Sequence, residues 1–231
     1  MLKMKFEEDL LIVIGISGVT CGGKTTTAQK LQNILPKTTI ISQDLYFLEE
    51  NDPRISWIPE LNHANYDILS SLDMDKMFDD VSNFIQKDSF KRIRHHFQSL
   101  NSITHDIGYV RDVLKTAKLN ILIIEGFSIF NYKPLVPLCD LKYYFTLTKE
   151  ECYRRRLLRI YEPPDCPGYF DKIAWPEHLQ QLEEVRTTVD GVNYYSGTVD
   201  STENILKDIF SLYMSIKKMP KLCSMETATN S

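Results

Sequence analysis

Several things are missing from this chain of 231 residues, and each absence narrows its class. No apolar stretch approaches the roughly twenty residues that a bilayer-spanning helix requires, so a soluble chain with no membrane partner is expected. Lys3 and Lys5 stand ahead of an apolar run, but Glu7, Glu8 and Asp9 intervene and the run is short, unlike a secretory signal. Positive charge is not in excess. The 27 Lys and Arg face 31 Asp and Glu, a net charge of -4, which argues against a general nucleic-acid binder and requires any phosphate-handling charge to be local. The five cysteines, Cys21, Cys139, Cys152, Cys166 and Cys223, form an odd set without a C-x-x-C pair. Neither disulfides nor a structural zinc is expected, and reduced thiols fit a cytoplasmic or nuclear setting. There is no internal repeat, and the N-K-x-D guanine motif of regulatory GTPases does not occur.

What is present begins at residues 18–25, Gly-Val-Thr-Cys-Gly-Gly-Lys-Thr, a full match to the phosphate-binding pattern G-x-x-x-x-G-K-[ST]. The flanks suit it. Residues 10–16 are a continuous apolar run rich in β-branched side chains, the mark of a strand buried on both faces of a parallel sheet. After the loop, Ala28, Leu31, Ile34 and Leu35 recur at helical spacing until Pro36. Strand, glycine loop and helix together aim backbone N–H groups and the positive end of a helix dipole at one point, where an anion belongs. Lys24 would reach the β- and γ-phosphates and the Thr25 hydroxyl would ligate the Mg²⁺ that bridges them.

Further along, residues 39–41 predict a second strand ending at Asp44, an acid at the carboxyl edge of the sheet, where open α/β folds bind ligands. Residues 48–64 read as a loop. Met74, Met77, Phe78, Val81, Phe84 and Ile85 predict an amphipathic helix capped by Asp73. Strands are predicted over 119–124, ending at Glu125, and over 142–147. A helix over 149–161 carries Arg154, Arg155, Arg156 and Arg159, and like charges at i,i+4 disfavour it unless a polyphosphate binds there. Helices near 177–189 and 202–219 complete the pattern. The chain reads as one domain over 10–219, with a lid at about 153–170, an insert at about 88–118 and a frayed tail over 220–231. His95, His96 and His105 in the insert lack metal-ligand spacing and read as surface histidines. Its 43% hydrophobic residues are enough for a sizeable core, and the fold class is α/β, a parallel sheet with helices on both faces.

The blocks Ile41-Ser42-Gln43-Asp44, Tyr66-Asp67, Ile123-Ile124-Glu125-Gly126-Phe127, Arg154-Arg155-Arg156 and Tyr161-Glu162-Pro163-Pro164-Asp165, followed by Pro167-Gly168-Tyr169-Phe170-Asp171 and Trp175-Pro176, closely resemble the nicotinamide riboside kinases. These belong to the uridine kinase-like branch of the P-loop kinases, and the resemblance covers about residues 10–215. It implies the P-loop kinase fold with an arginine-rich lid, and ATP-dependent transfer of a phosphoryl group to the 5′-hydroxyl of a nucleoside. Asp44 would then accept or orient that hydroxyl. ATP would lie on Gly18, Val19, Thr20, Cys21, Gly22, Gly23, Lys24, Thr25 and Thr26, with Arg155 and Arg159 from the lid. Thr25, Asp44 and Glu125 are the candidate Mg²⁺ ligands. Asp67 resembles the family's ribose-binding acid, Arg156 and Glu162 match substrate positions, and Tyr161 matches a stacking tyrosine. A nicotinamide ring is a permanent cation, which suits an aromatic slot built from Phe47, Tyr66 and Tyr161, although each could instead be core. Asp44 is followed by Leu45 where the family often has a second acid. A uridine or cytidine kinase and a catalytically silent nucleotide-binding scaffold are the competing readings. The oligomeric state, the preference among ribosides and ATP against GTP stay open.

Overall fold

The structure is a computed structural model and describes residues 9–87, 90, 92 and 105–218. Five parallel strands form the main sheet in the order β2-β5-β1-β6-β7: β1 (Leu10–Gly18), β2 (Thr38–Ser42), β5 (Leu119–Glu125), β6 (Leu141–Thr146) and β7 (Val192–Ser196). A two-stranded antiparallel ribbon, β3 (Trp57–Ile58) with β4 (His63–Ala64), lies within the stretch read as loop. All nine residues of β1 are buried, as a central strand covered on both faces must be.

The pleat sorts alternate side chains into two cores. Leu10, Ile12, Ile14 and Ile16 of β1 join Leu119, Ile121 and Ile123 of β5 on one face, beneath α1 (Lys24–Ile34), α3 (Ile107–Thr116) and α6 (Thr202–Lys218). Leu11 and Val13, with Leu122 and Ile124, face the other way, onto α2 (Met74–Lys87) and α5 (Trp175–Thr188). The expected α/β architecture with helices on both faces is therefore what the chain builds. Asp73 stands ahead of α2 as predicted, accepting a hydrogen bond from the Lys76 N–H at 3.1 Å. Among the described residues, no helix is long and apolar enough to cross a membrane.

Besides the ribbon within the stretch read as loop, three local readings change. The arginine-bearing helix, α4 (Lys149–Arg156), stops five residues short of 161. Thr148 caps it, Glu150 and Glu151 sit in its first turn and Arg154, Arg155 and Arg156 in its last, all favourable to the helix dipole. Beyond it, Leu157, Leu158 and Ile160 are strongly exposed, so nothing apolar is buried that would hold a further turn, and the Arg155/Arg159 repulsion is relieved. Inside the stretch read as an insert, residues 107–116 form α3, whose N-terminal N–H groups are met by the Asp106 carboxylate, with Val110 and Leu114 buried. Lys91, Arg94, His95 and His96 lie outside the described residues, as does the tail over 220–231; His105 packs against Tyr109 and Phe210. Finally β7, too short and polar to be read from its sequence, completes the sheet by pairing with β6.

Candidate active site

The phosphate loop leaves β1 at Gly18, whose φ of +129° and whose close approach to the Phe145 carbonyl exclude any side chain. Val19 then donates its N–H to that carbonyl at 2.9 Å, and the turn closes with Gly22 N–H on the Val19 carbonyl at 3.1 Å. Gly23 stands at the N-cap of α1, so the loop's backbone donors and the helix N-terminus converge as expected. Cys21 takes a left-handed φ of 58° without being glycine. Lys24 opens α1 and is buried. Its Nζ donates to the Gly18 and Val19 carbonyls at 2.9 and 2.8 Å. Burial pulls its pKa below the usual lysine value, against the opposing pull of Glu125 and then Asp44.

Glu125 ends β5 and is 2% exposed. It accepts hydrogen bonds from the Thr25 hydroxyl at 3.2 Å on each oxygen and from the Ser42 hydroxyl at 2.5 Å. The donor set is all oxygen, the chemistry that suits Mg²⁺ shared with phosphate oxygens. Asp44 lies just past β2 in a single turn of 3₁₀ helix over Gln43–Tyr46. Gln43, fully buried, anchors that turn: its Oε1 accepts from Ser128 N–H at 3.1 Å, its amide donates to Ser128 Oγ at 3.2 Å, and its side chain packs where a Cβ on Gly126 would collide with it. Asp44 itself is exposed, and among the described residues its carboxylate accepts no hydrogen bond, so it is free to meet a hydroxyl. Thr26 is exposed at the start of α1.

The arginine-bearing segment from α4 onward packs against this loop. Arg156 is 7% exposed, forks onto Asp165 at 2.5 and 2.9 Å, and stands 3.6 Å from Asp67. Burial raises the Asp67 pKa, while Arg156 and a hydrogen bond with Tyr169 draw it down. Arg155 binds Glu151 at 2.6 Å and donates to the carbonyls of Cys21 at 3.2 Å and Gly197 at 3.0 Å. The guanidinium groups of Arg156 and Arg159 lie over the Tyr161 ring, 4.6 and 5.3 Å from its centre. Its hydroxyl is 3.3 Å from Thr20 Oγ1 and 3.5 Å from Cys21 Sγ, and burial and the Cys21 contact push its pKa up to about 12. Glu162 is exposed.

The predicted aromatic residues fall into two places. Phe47 meets Tyr66 edge-on at 6.0 Å, and stacks at 13° on Phe127, also at 6.0 Å. Tyr161 instead sits over the phosphate loop, linked to the Asp67 side through Arg156. Residues without an assigned role also join the site. Ser42, Phe127, Asp165 and Tyr169 lie inside the motif blocks and were legible as neighbours, whereas Gly197, after β7, and Gln181, on α5, carry no local signal.

Comparison with known proteins bears on this arrangement. Residues 13–162 match the phosphoribulokinase/uridine kinase family. The chain is 38% identical over 198 residues to nicotinamide riboside kinase 1 of Rattus norvegicus, covering 86% of this chain and 91% of that one. To nicotinamide riboside kinase 2 of Mus musculus it is 36% identical over 186 residues, 80% of this chain and 87% of that one. Similarity to uridine kinase of Borrelia duttonii is lower, 29% over 150 residues, 64% of this chain and 66% of that one. A phosphate loop backed by Glu125, an acid freed at the end of β2 and a lid arginine paired to Asp67 thus occur in a sequence whose similarity runs nearly end to end with these kinases, and the chain belongs to the phosphoribulokinase/uridine kinase family, with the nicotinamide riboside kinases.

Proposed function

We propose that the chain transfers the γ-phosphoryl group of ATP to the 5′-hydroxyl of nicotinamide riboside, yielding the mononucleotide used in NAD synthesis. The observation that carries this reading is the continuous contact from phosphate loop to ribose acid: Thr20 and Cys21 touch Tyr161, Tyr161 stacks on Arg156, and Arg156 faces Asp67. Donor and acceptor half-sites therefore share one lid.

In this reading the loop N–H groups and Lys24 hold the β- and γ-phosphates, with Lys24 exchanging two carbonyl partners for phosphate oxygens. Asp44 accepts the proton of the 5′-hydroxyl as that oxygen attacks in line. Asp67 and Arg156 orient the ribose, and Arg155 and Arg159 meet ATP from the lid. Thr25, Glu125 and Asp44 would hold Mg²⁺, which supplies neutralisation of charge on the phosphate oxygens. Phe47 and Tyr66 offer aromatic faces to a cationic ring, an attraction of about 0.5–2 kcal/mol that a neutral pyrimidine does not gain, and Tyr161 joins them only once the lid moves Arg156 and Arg159 off its ring. A cytoplasmic or nuclear setting is part of this reading and rests on the odd cysteine count without a C-x-x-C pair.

A coupled kinase assay with MgATP, comparing kcat/KM for nicotinamide riboside, nicotinic acid riboside and uridine, tests the proposal. Preference for the pyridine ribosides is expected. Preference for uridine would place the chain on the pyrimidine branch. In the same assay Asp44→Ala should lower kcat about 10²–10⁴-fold while ATP affinity, read by calorimetry, persists. Full turnover by the variant would remove Asp44 from the chemistry.

A further inference from the structure

The turn that carries Asp67 is not held by its own strand or loop alone. Two side chains from the first turns of α5 reach across to it. Gln181, 9% exposed, donates from Nε2 to the Asp67 carbonyl at 2.6 Å. Asn65, 7% exposed, accepts the Asp67 N–H on Oδ1 at 3.1 Å and donates from Nδ2 to Glu177 Oε1 at 3.1 Å. Both backbone groups of Asp67 are thus tied, directly or through one amide, to α5. Behind Gln181, Asn131 donates to the Gln181 carbonyl at 3.1 Å and to Glu184 at 2.8 Å, which fixes this part of the helix in turn. A third tie comes from Tyr169, whose hydroxyl accepts the Tyr66 N–H at 3.0 Å.

We propose that Gln181 and Glu177 are positioning residues for the nucleoside, setting the orientation of the Asp67 carboxylate toward the ribose through its two backbone groups. This rests on the reading of Asp67 as the ribose acceptor. A carboxylate that accepts two hydroxyls must hold both oxygens in register, and a rotation of its backbone moves them together, so loss of a tie weakens nucleoside binding without touching the phosphate side. The contacts lie on the lid's C-terminal side, since α5 follows the turn over Phe170–Ala174 directly.

Full-length variants assayed with nicotinamide riboside and MgATP test the idea. Asp67→Asn is the control and should raise the nucleoside KM; an unchanged value would overturn the reading of Asp67 itself, independently of any role for α5. Gln181→Met, which keeps side-chain length and removes the donor, should raise the nucleoside KM about tenfold with kcat and the ATP KM near wild type. A fall in kcat with both KM values unchanged, or a lowered Tm with an unchanged nucleoside KM, is what a merely structural glutamine gives and would overturn the proposal. Glu177→Ala removes the acceptor for Asn65 and should likewise raise the nucleoside KM several-fold with kcat and the ATP KM near wild type, whereas Glu177→Gln, which keeps an oxygen for Asn65, should hold it near the wild-type value. An unchanged nucleoside KM in Glu177→Ala with a wild-type Tm would also overturn the proposal.

Discussion

Lys24 and His178 show how burial dominates the charge chemistry of single residues in this molecule. Lys24 keeps a partner for its charge in two loop carbonyls, so its ammonium is held ready where the phosphates arrive. His178, 7% exposed and beside the rings of Trp175 at 5.3 Å and Tyr144 at 6.3 Å, has no such compensation among the described residues. Burial, then the Lys24 and Arg186 charges, pull its pKa from 6.5 down to about 4. It stays neutral in the fold while the unfolded chain takes up its proton. Stability should therefore fall as pH drops from about 6.5 toward 4, by about 3 kcal/mol in all from this residue. Denaturant titrations of the wild type and His178→Phe, which keeps the ring stack, would show this as a shallower pH dependence in the variant. Equal slopes would remove His178 from the acid sensitivity. The roles suggested for Lys24, Thr25 and Asp44 could be read in the sequence because they follow a local pattern. The environment of His178 could not, because the Tyr144 ring that covers it comes from β6, far off in the chain, and its burial depends on how α5 packs on the sheet.

At the scale of elements, α4 and the segment after it form a lid that already rests on the phosphate loop. Arg155 bonds the Cys21 carbonyl, Tyr161 approaches Thr20 and Cys21, and the buried Cys152 thiol donates to the Thr20 carbonyl at 3.4 Å. A small third core of Val19, Cys152, Tyr169, Phe170 and Ala174 lies between loop and lid base. Past α4, by contrast, Leu157, Leu158 and Ile160 face solvent, a segment with little to hold it. Amide hydrogen exchange over residues 153–170 should slow when MgATP and nucleoside are both present, as the arginines acquire phosphate partners. Equal exchange with and without them would count against closure. The charge pattern predicts a helix to 161 because charge alone says nothing about where burial ends. Similarly, α3 is hidden in the sequence because its short apolar face, Val110 and Leu114, becomes meaningful only against α6. Strand β7 and the ribbon β3–β4 are too short for a period to show.

For the whole molecule, the two cores on either side of one parallel sheet place every strand's carboxyl end on the same edge, and Gly18, Ser42 and Glu125 end β1, β2 and β5 there. A ligand bound at that edge stabilises the sheet as a unit. MgATP at about 100 times its Kd should add about 2.7 kcal/mol, a rise in Tm of roughly 5–10 °C, and Lys24→Ala should abolish it. A shift that survives in the variant would place the nucleotide elsewhere. The sequence by itself determined the class of fold, the phosphate loop and the position of the acids at strand ends, because strand burial and glycine loops are short-range patterns that neighbouring residues spell out. Only the tertiary structure decided that Tyr161 lies over the phosphate loop apart from Phe47 and Tyr66, that Glu125 gathers two hydroxyls, and that α5 holds Asp67. Those contacts join residues far apart in the chain, up to 141 positions for Thr20 and Tyr161, and depend on where helices pack rather than on any local spacing.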